Sequence, residues 1–410
     1  MPDSHKPITV GIDLRPLQGH NKFRGIGRHI RSTLEELVKL DNKNSYVMYE
    51  YSGLDDPMDS IDTPPGFKYS VQRVPQHHRS QVKVVGILFR QHKALKLEGG
   101  RLDVFFQTDI AYGLPKNVKV VAMFYDLIPY LYWNKDKLKQ YSGLQRLKRT
   151  AADRILRYKY LSELGLYKKA NKIIAISQAS KDDLIKKFPD ILPQDVFVSY
   201  LGVDSSGVKK APGSSQGLLK KLKITKPFLL YVGGVDLRKN IVGLAKMFLE
   251  IKKLDKNSLK LVMIGKEFGN SQELTDLGWY NAVSGSKFEK DIIIPGYVSD
   301  EELMQLYSQA EVFTFSSYYE GFGLPVLEAM KAGCPVVAFN NSSIPEVAGK
   351  AAILVENNKE YIAAVELLLK DKSKRGQLIK AGYVQVKKFS WKKTAKDTLS
   401  VIMSVAKGQD

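Results

Sequence analysis

Short apolar runs alternate with longer mixed stretches along the whole chain. Ile8-Thr9-Val10-Gly11-Ile12-Asp13 predicts a first buried strand, and the pattern from Ile30 to Leu40 predicts the bulk of a first helix. Further strands are expected at 47–51, 68–74, 103–108, 119–125, 172–177 and 196–200, with helices over 144–167 and 181–188. Ser180 is the expected N-cap of the latter helix. A second series of strands is expected at 228–234, 259–265, 291–294, 312–315 and 336–339. Alternation of this kind argues for open parallel sheets covered by helices, with ligands at the carboxyl ends of the strands. No short-period repeat interrupts it. Between the two series, residues 205–217 are small, polar and rich in Gly, Pro and Ser, as in a linker. The expected division is a first α/β domain over 1–205, a linker over 206–222, a second α/β domain over 223–388, and a final helical segment over 389–410. Ser390 is the expected cap of that last helix.

Composition narrows the class. A chain of 410 residues is long enough for two cores, and 44% hydrophobic with 10% aromatic residues implies folded domains. One cysteine, Cys334, precludes an internal disulfide and suits a reducing cytosol. The N-terminus lacks the apolar core of a signal peptide, and no apolar run approaches a membrane span, so a soluble protein is expected. The formal charge of +20 points to an anionic partner: a nucleotide, a membrane surface or a nucleic acid.

The richest chemistry lies in Ser316-Ser317-Tyr318-Tyr319-Glu320-Gly321-Phe322-Gly323-Leu324-Pro325-Val326-Leu327-Glu328. It reads as the end of a buried strand, a glycine-rich bend, and a helix that Pro325 can open. Gly321 and Gly323 keep the bend free of Cβ atoms, so a ligand can approach the backbone around Phe322 and Leu324. The free amides of Gly323, Leu324 and the following turn make an anion site. Glu320 and Glu328 bracket it. A bare phosphate would not favour carboxylates there, whereas the hydroxyls of a phosphate-linked sugar would donate to them. Such a combination suits a sugar nucleotide.

Companion motifs carry complementary groups. Asp236-Leu237-Arg238-Lys239-Asn240 follows the Gly233-Gly234 bend, and its fork and point charge suit a diphosphate. Gly25-Ile26-Gly27-Arg28 is close to a dinucleotide fingerprint, but Ile30 stands where a third glycine would. Tyr125 and Asp126 stand at the end of an expected strand, where a turn role for Asp126 is the lesser alternative. The six histidines lack metal-ligand spacing and no Asp-x-Asp occurs, so no metal and no cofactor is expected. Residues 82–96 mix apolar and cationic positions at roughly helical spacing. Arg146, Lys148, Arg149, Arg154, Arg157 and Lys159 crowd the next long helix. Both could lie on an anionic membrane surface or simply be solvated. Neither an aromatic RNA-binding motif nor a helix-turn-helix is present, so a nucleic-acid partner is not expected.

Glu320 and Glu328, with seven residues between them around G-F-G-L-P, resemble the E-x7-E element of retaining glycosyltransferases of the GT-B fold, more narrowly glycosyltransferase family 4. Arg238-Lys239-Asn240 resembles the family's R-K-N element, and Gly25-Ile26-Gly27-Arg28 its cleft-facing glycine loop. Tyr125-Asp126-Leu127-Ile128-Pro129 resembles the H-D-L-I-P segment of the mannosyltransferase-like branch. The resemblance covers nearly the full chain. It implies two Rossmann-like domains facing across a cleft, the first on the acceptor side and the second on the donor side, with a last helix crossing back to the first. The implied activity is metal-independent transfer of a hexose, mannose or glucose type, from a GDP-, UDP- or dTDP-sugar to a glycan or lipid-linked acceptor in polysaccharide assembly. Retention by front-face displacement is the family's usual mechanism.

In that scheme Glu320 and Asp126 are the catalytic candidates, with Glu320 positioning the transferred sugar and not acting as nucleophile. Arg238, Lys239 and the amides around Gly321, Phe322, Gly323 and Leu324 hold the diphosphate, and Glu328 the ribose. Backbone atoms of Tyr297 and Val298 meet the base, while Gly25, Gly27, Arg28 and Tyr125 line the other side. Tyr125 departs from the family, where histidine is common: either the sugar is held by backbone there, or the site is altered. The implied location is cytoplasmic, peripheral on the inner face of the membrane. A catalytically idle scaffold and a basic nucleic-acid-binding protein are the competing classes.

Overall fold

The computed structural model describes residues 6–19, 22, 25–75, 79–84, 87–92, 97, 101–132, 143–203, 214–254, 258–265, 268, 274–275 and 278–408. The chain forms two compact units, one of Met1–Gly202 with Trp391–Asp410 and one of Val203–Ser390.

In the first unit the strands are β1 (Thr9–Asp13), β2 (Ser45–Tyr51), β3 (Lys68–Val74), β4 (Arg79–Val84), β5 (Ile87–His92), β6 (Val104–Gln107), β7 (Val120–Phe124), β8 (Lys172–Ala175) and β9 (Val196–Val198). Seven of them make a parallel sheet in the order β3-β2-β1-β6-β7-β8-β9. Strand order reverses between β1 and β6, where Val10 pairs with Val104. At such a point the loops diverge to opposite faces and open a crevice at the carboxyl ends. β4 and β5 form a separate antiparallel hairpin, Val84 opposite Ile87. The helical reading of residues 82–96 therefore gives way to strands at 82–84 and 87–92, the rest of that stretch lying outside the described residues. V-K-V-V-G-I-L-F is β-branched and alternating, and period two wins over the looser helical spacing.

The helix Gly25–Leu40 starts earlier than its apolar pattern, so Gly25, Gly27 and Arg28 occupy its first turn and not a loop before it. In the helix Gln178–Lys187 the cap is Ser177, whose hydroxyl accepts from the Ser180 amide at 3.0 Å. Ser180, the expected cap, is already inside and donates its hydroxyl to the Tyr125 carbonyl at 2.7 Å. The C-terminal helix Trp391–Lys407 belongs to this unit. Trp391, Thr394, Ala395, Thr398, Val401, Ile402 and Val405 are its buried residues, at helical spacing. It packs on the helix Gly25–Leu40 and strands β6–β8. Thr394 donates to the Tyr200 carbonyl (2.7 Å) and Lys119 to that of Val405 (3.0 Å).

The second unit contains β10 (Phe228–Val232), β11 (Lys260–Ile264), β12 (Ile292–Ile293), β13 (Val312–Phe315), β14 (Val336–Phe339) and β15 (Ala352–Val355). They form one parallel sheet, β12-β11-β10-β13-β14-β15, with its reversal between β10 and β13. β15 was not foreseen. Ala-Ile-Leu-Val is short, and its pairing with Val336–Phe339 makes it a strand. Helices cover both faces. The helix Asp300–Gln309 opens with a capping box between Ser299 and Glu302, and Asn357 caps Asn358–Lys370. Residues 214–221, part of the expected linker, form a helix anchored by buried Leu218 and an ion pair from Lys221 to Glu302 (2.7 Å). The remainder of that linker, 206–213, lies outside the described residues.

Candidate functional site

In the second unit, four segments converge at the carboxyl ends of β10 and β13. The strand β13 delivers Ser316 and Ser317, both buried, to the bend at Glu320. The loop after β10 makes a short 3-10 turn over Leu237–Lys239 and ends in Asn240 with a left-handed backbone (φ 52°). The two loops are stitched together: the Tyr318 amide donates to the Arg238 carbonyl at 2.7 Å, and the Ser316 hydroxyl to the Lys239 carbonyl at 2.9 Å.

This stitching places Arg238 and Lys239 around one carboxylate. Lys239 Nζ lies 2.6 Å from Glu320 Oε1, and Arg238 Nη1 lies 2.7 Å from Glu320 Oε2. The same guanidinium donates to the Tyr319 carbonyl at 3.2 Å, and its Nε lies 3.2 Å from Asp236 Oδ1. Glu320 is 8% exposed and Lys239 also 8%, so the charges are largely out of water. Burial pushes the Glu320 carboxyl up, but the charges and hydrogen bonds of Lys239 and Arg238 outweigh it and hold it below the ordinary range. Lys239 also lies over the Phe315 ring, 5.6 Å from its centre.

The helix Leu324–Lys331 starts at Gly323, whose φ of 102° lies where L side chains are strained. A Cβ there would stand 2.7 Å from Ile344 Cδ1. Ser343 ties down the bend by sharing its one hydroxyl proton between the Phe322 and Glu320 carbonyls, at 2.8 and 3.0 Å. The Glu320 amide donates to Ser342 Oγ at 2.9 Å. Serines 342 and 343 thus support the site. Glu328 is 7% exposed, and the Tyr307 hydroxyl donates to it at 3.2 Å. Tyr307 has no local signature, because it comes from the next helix in space. Leu324 opens the helix, while the Phe322 ring is buried edge-on against Phe389. Gly321 is buried in the bend. Tyr297 is 70% exposed and Val298 is buried beside it, after Gly296 at φ 86°.

The first unit holds the other sequence-selected residues. Asp126 makes a turn, its Oδ1 accepting from the Ile128 amide at 2.8 Å. The Tyr125 hydroxyl turns inward and donates to the Thr108 carbonyl at 3.0 Å. Its single proton is then committed, so His29, at 3.1 Å, must offer Nδ1–H to the Tyr125 oxygen. Burial drives the His29 pKa down to about 3, keeping that imidazole neutral. Nearby, Asp13 and Arg15 form a fully buried pair at 2.7 Å, braced by Gln107 and by the rings of Tyr51 and Tyr112. Neither feature was read from the sequence. His29 and Tyr125 are 96 positions apart, and Gln107 reaches Asp13 from 94 positions on.

Arg157 lies over the Tyr130 ring at 5.7 Å, Arg154 is exposed, and Lys159 pairs with Glu163 at 3.4 Å. Among the described residues no helix is long and apolar enough to cross a membrane, and no group of three or more His, Cys, Asp or Glu is placed to hold a metal.

Comparison with known proteins gives two family matches. Residues 23–206 match Glycosyltransferase Family 4 and residues 218–385 match Glycosyl transferases group 1. O-antigen chain mannosyltransferase B of Escherichia coli is 32% identical over 56% of this chain and 60% of its own length. The serotype-specific mannosyltransferase WbdA of E. coli is 26% identical over 95% of this chain and 47% of its own length. The chain therefore spans roughly half of the length of these curated relatives. Among solved structures, sucrose-phosphate synthase from Thermosynechococcus elongatus superposes with a TM-score of 0.68 at 16% identity, over 98% of this chain and all of that one. HepE from Anabaena, in complex with UDP and glucose, superposes at 0.67 and 13% identity, over 97% of this chain and all of that one. These likenesses show the GT-B fold.

Proposed function

The chain belongs to glycosyltransferase family 4, and on that premise we propose that it transfers a hexose from a nucleoside diphosphate sugar to a glycan or lipid-linked acceptor, with retention of configuration and without a metal. The observation that carries the reading is the pairing of Arg238 and Lys239 with Glu320 at the glycine-rich turn. Two cations held by a displaceable carboxylate are a charge-matched seat for a diphosphate, which accepts from the same donors. Once the diphosphate engages them, Glu320 is released to accept hydrogen bonds from sugar hydroxyls, so donor binding and sugar positioning are coupled.

The chemistry then follows the movement of charge. The bond between the anomeric carbon and the β-phosphate oxygen breaks, and negative charge grows on the departing diphosphate. In this reading Arg238, Lys239 and the amides at Gly323 and Leu324 stabilise that charge as it develops. The acceptor hydroxyl forms the new bond on the same face of the sugar, and its proton passes to the departing phosphate oxygen. Glu328 holds ribose hydroxyls, a positioning role.

Mannose from GDP-mannose is the favoured donor, because both curated relatives described above are named as mannosyltransferases. The acceptor reading, a growing surface polysaccharide, rests on the same relatives. The deciding experiment is a thermal-shift panel of GDP, UDP, ADP and dTDP and their sugars, with EDTA and with Mg²⁺. A ligand that binds only the folded state raises the midpoint by mass action. A GDP response indifferent to EDTA is the expected result. No response to any nucleotide would overturn the proposal.

A further inference from the structure

A pocket lies in the same sheet, at the carboxyl ends of β14 and β15, outward from the β10/β13 reversal that carries the site above. Its volume is about 630 Å³, within the usual range of small-molecule sites. Its floor is aromatic. Tyr318, 48% exposed, stacks on Phe339 with centroids 5.9 Å apart and planes at 29°. Phe339 in turn rests on fully buried Tyr361 at 5.2 Å. Three rings thus run from surface to core, and the outermost presents a face that is already fixed in place. A platform held in its bound orientation loses little conformational entropy when a ligand stacks on it.

The rim is polar and close to neutral. Asn340, Asn358, Glu356 and Lys359 line it, with Asn340 Nδ2 donating to Glu356 Oε1 at 2.6 Å. One carboxylate and one ammonium cancel, so the pocket has no excess charge for a diphosphate or a phospholipid headgroup. An apolar ligand would leave the amides unpaired. A hexose fits both features: its C–H face lies on a ring, and its hydroxyls both donate to carboxylates and amide oxygens and accept from amide N–H and ammonium groups.

We propose that this pocket binds a neutral hexose oligosaccharide, as a holding site distinct from the donor seat. The proposal rests on the functional reading above only in taking that oligosaccharide to be an acceptor chain. Tyr318 joins the two places, since its amide donates to the Arg238 carbonyl and Glu320 stands two residues on. A chain held here would be tethered beside the loop that receives the donor, raising its effective concentration at the reacting centre.

The test is calorimetric titration of the full chain, free of nucleotide, with linear mannose and glucose oligosaccharides. Binding is expected for at least one series. It should be about tenfold weaker in Tyr318→Ala and in Glu356→Ala, and retained in Tyr318→Phe, which keeps the stacking face. The thermal response of each variant to GDP and UDP reports whether the fold and the donor seat survive, and Glu356→Ala leaves the Glu320 loop untouched. Absence of oligosaccharide binding at millimolar concentration would overturn the proposal, as would equal affinity in wild type and both alanine variants. The two readings fail separately. A nucleotide response without oligosaccharide binding removes this pocket alone, whereas Tyr318-dependent oligosaccharide binding without any nucleotide response removes the donor reading alone.

Discussion

Lys239 and Glu320 are 81 positions apart in the chain, yet their charged atoms lie 2.6 Å from each other in a largely buried site. The carboxylate occupies the cations that a diphosphate would need. On the proposed reading, donor binding is an exchange of one anion for another.

Glu320→Gln should separate the two sides of that exchange. The unliganded protein should melt earlier, because removing one partner of a buried pair costs about 3 kcal/mol or somewhat less when an amide keeps part of the bonding. Diphosphate affinity should rise severalfold, since the competing charge is gone, while turnover falls by roughly a hundredfold through loss of sugar positioning. Calorimetry with GDP and initial rates measure both arms. Wild-type turnover in this variant would remove Glu320 from the site.

Lys239→Ala and Arg238→Ala should each weaken the nucleoside diphosphate. A hydrogen bond to a charged group contributes about 1.5–3 kcal/mol, so each loss should reach roughly tenfold to a hundredfold in Kd. The effect should be larger on KM than on the midpoint of unfolding, because Glu320 keeps one cation in either variant.

Acid should release the same contact. The Glu320 carboxyl titrates below its ordinary value of 4.5 in the folded chain, because Lys239 and Arg238 outweigh the opposing effect of burial. A depressed folded pKa gives stability that is present above the unfolded value and lost as pH falls through the folded one. The stability difference between wild type and Glu320→Gln should be level at neutral pH and shrink below about pH 4.5. Urea midpoints across that range measure it.

His29 should dominate a higher window. Its folded pKa is about 3 because it is buried, against 6.5 when exposed. The unfolded chain takes up the proton first, so stability is complete above 6.5 and declines as pH falls toward 3. The slope is about 1.4 kcal/mol per pH unit. His29→Asn should flatten the pH dependence of unfolding between pH 6 and 4, at some cost in stability from the altered contact with Tyr125.

Two glycines should resist alanine for different reasons. Gly323→Ala strains a backbone at φ 102° and drives a methyl onto Ile344, costing about 1–2 kcal/mol from the backbone alone. Gly265→Ala has no such φ but would place its Cβ 2.1 Å from the Gly233 carbonyl oxygen, displacing the bend before Arg238. Donor affinity should fall in both, more than in a surface Gly217→Ala reference, as read by thermal shift with GDP.

Much of the framework was legible because it is local. β7, β13 and β14 follow from runs of apolar, β-branched and aromatic residues, whose burial in a parallel sheet needs no alternation. The turn of Gly321 and Gly323 announces itself through backbone freedom. What failed were segments whose state depends on neighbours. Ala352–Val355 is a strand because Val336–Phe339 lies beside it, and residues 82–96 had cations enough to imitate a helix face.

The sequence by itself determined two parallel α/β units, the strand ends where ligands can sit, and the residue types that suit a sugar nucleotide. Hydrophobic period, glycine freedom and charge are properties of neighbouring residues and survive without coordinates. Only the tertiary structure decided which charge meets which. It set Glu320 between Arg238 and Lys239, turned the Tyr125 hydroxyl toward Thr108 and His29, and stacked Tyr318 on Phe339 above Tyr361. Such pairings are fixed by strand order and loop closure over tens of residues, and no local pattern encodes them.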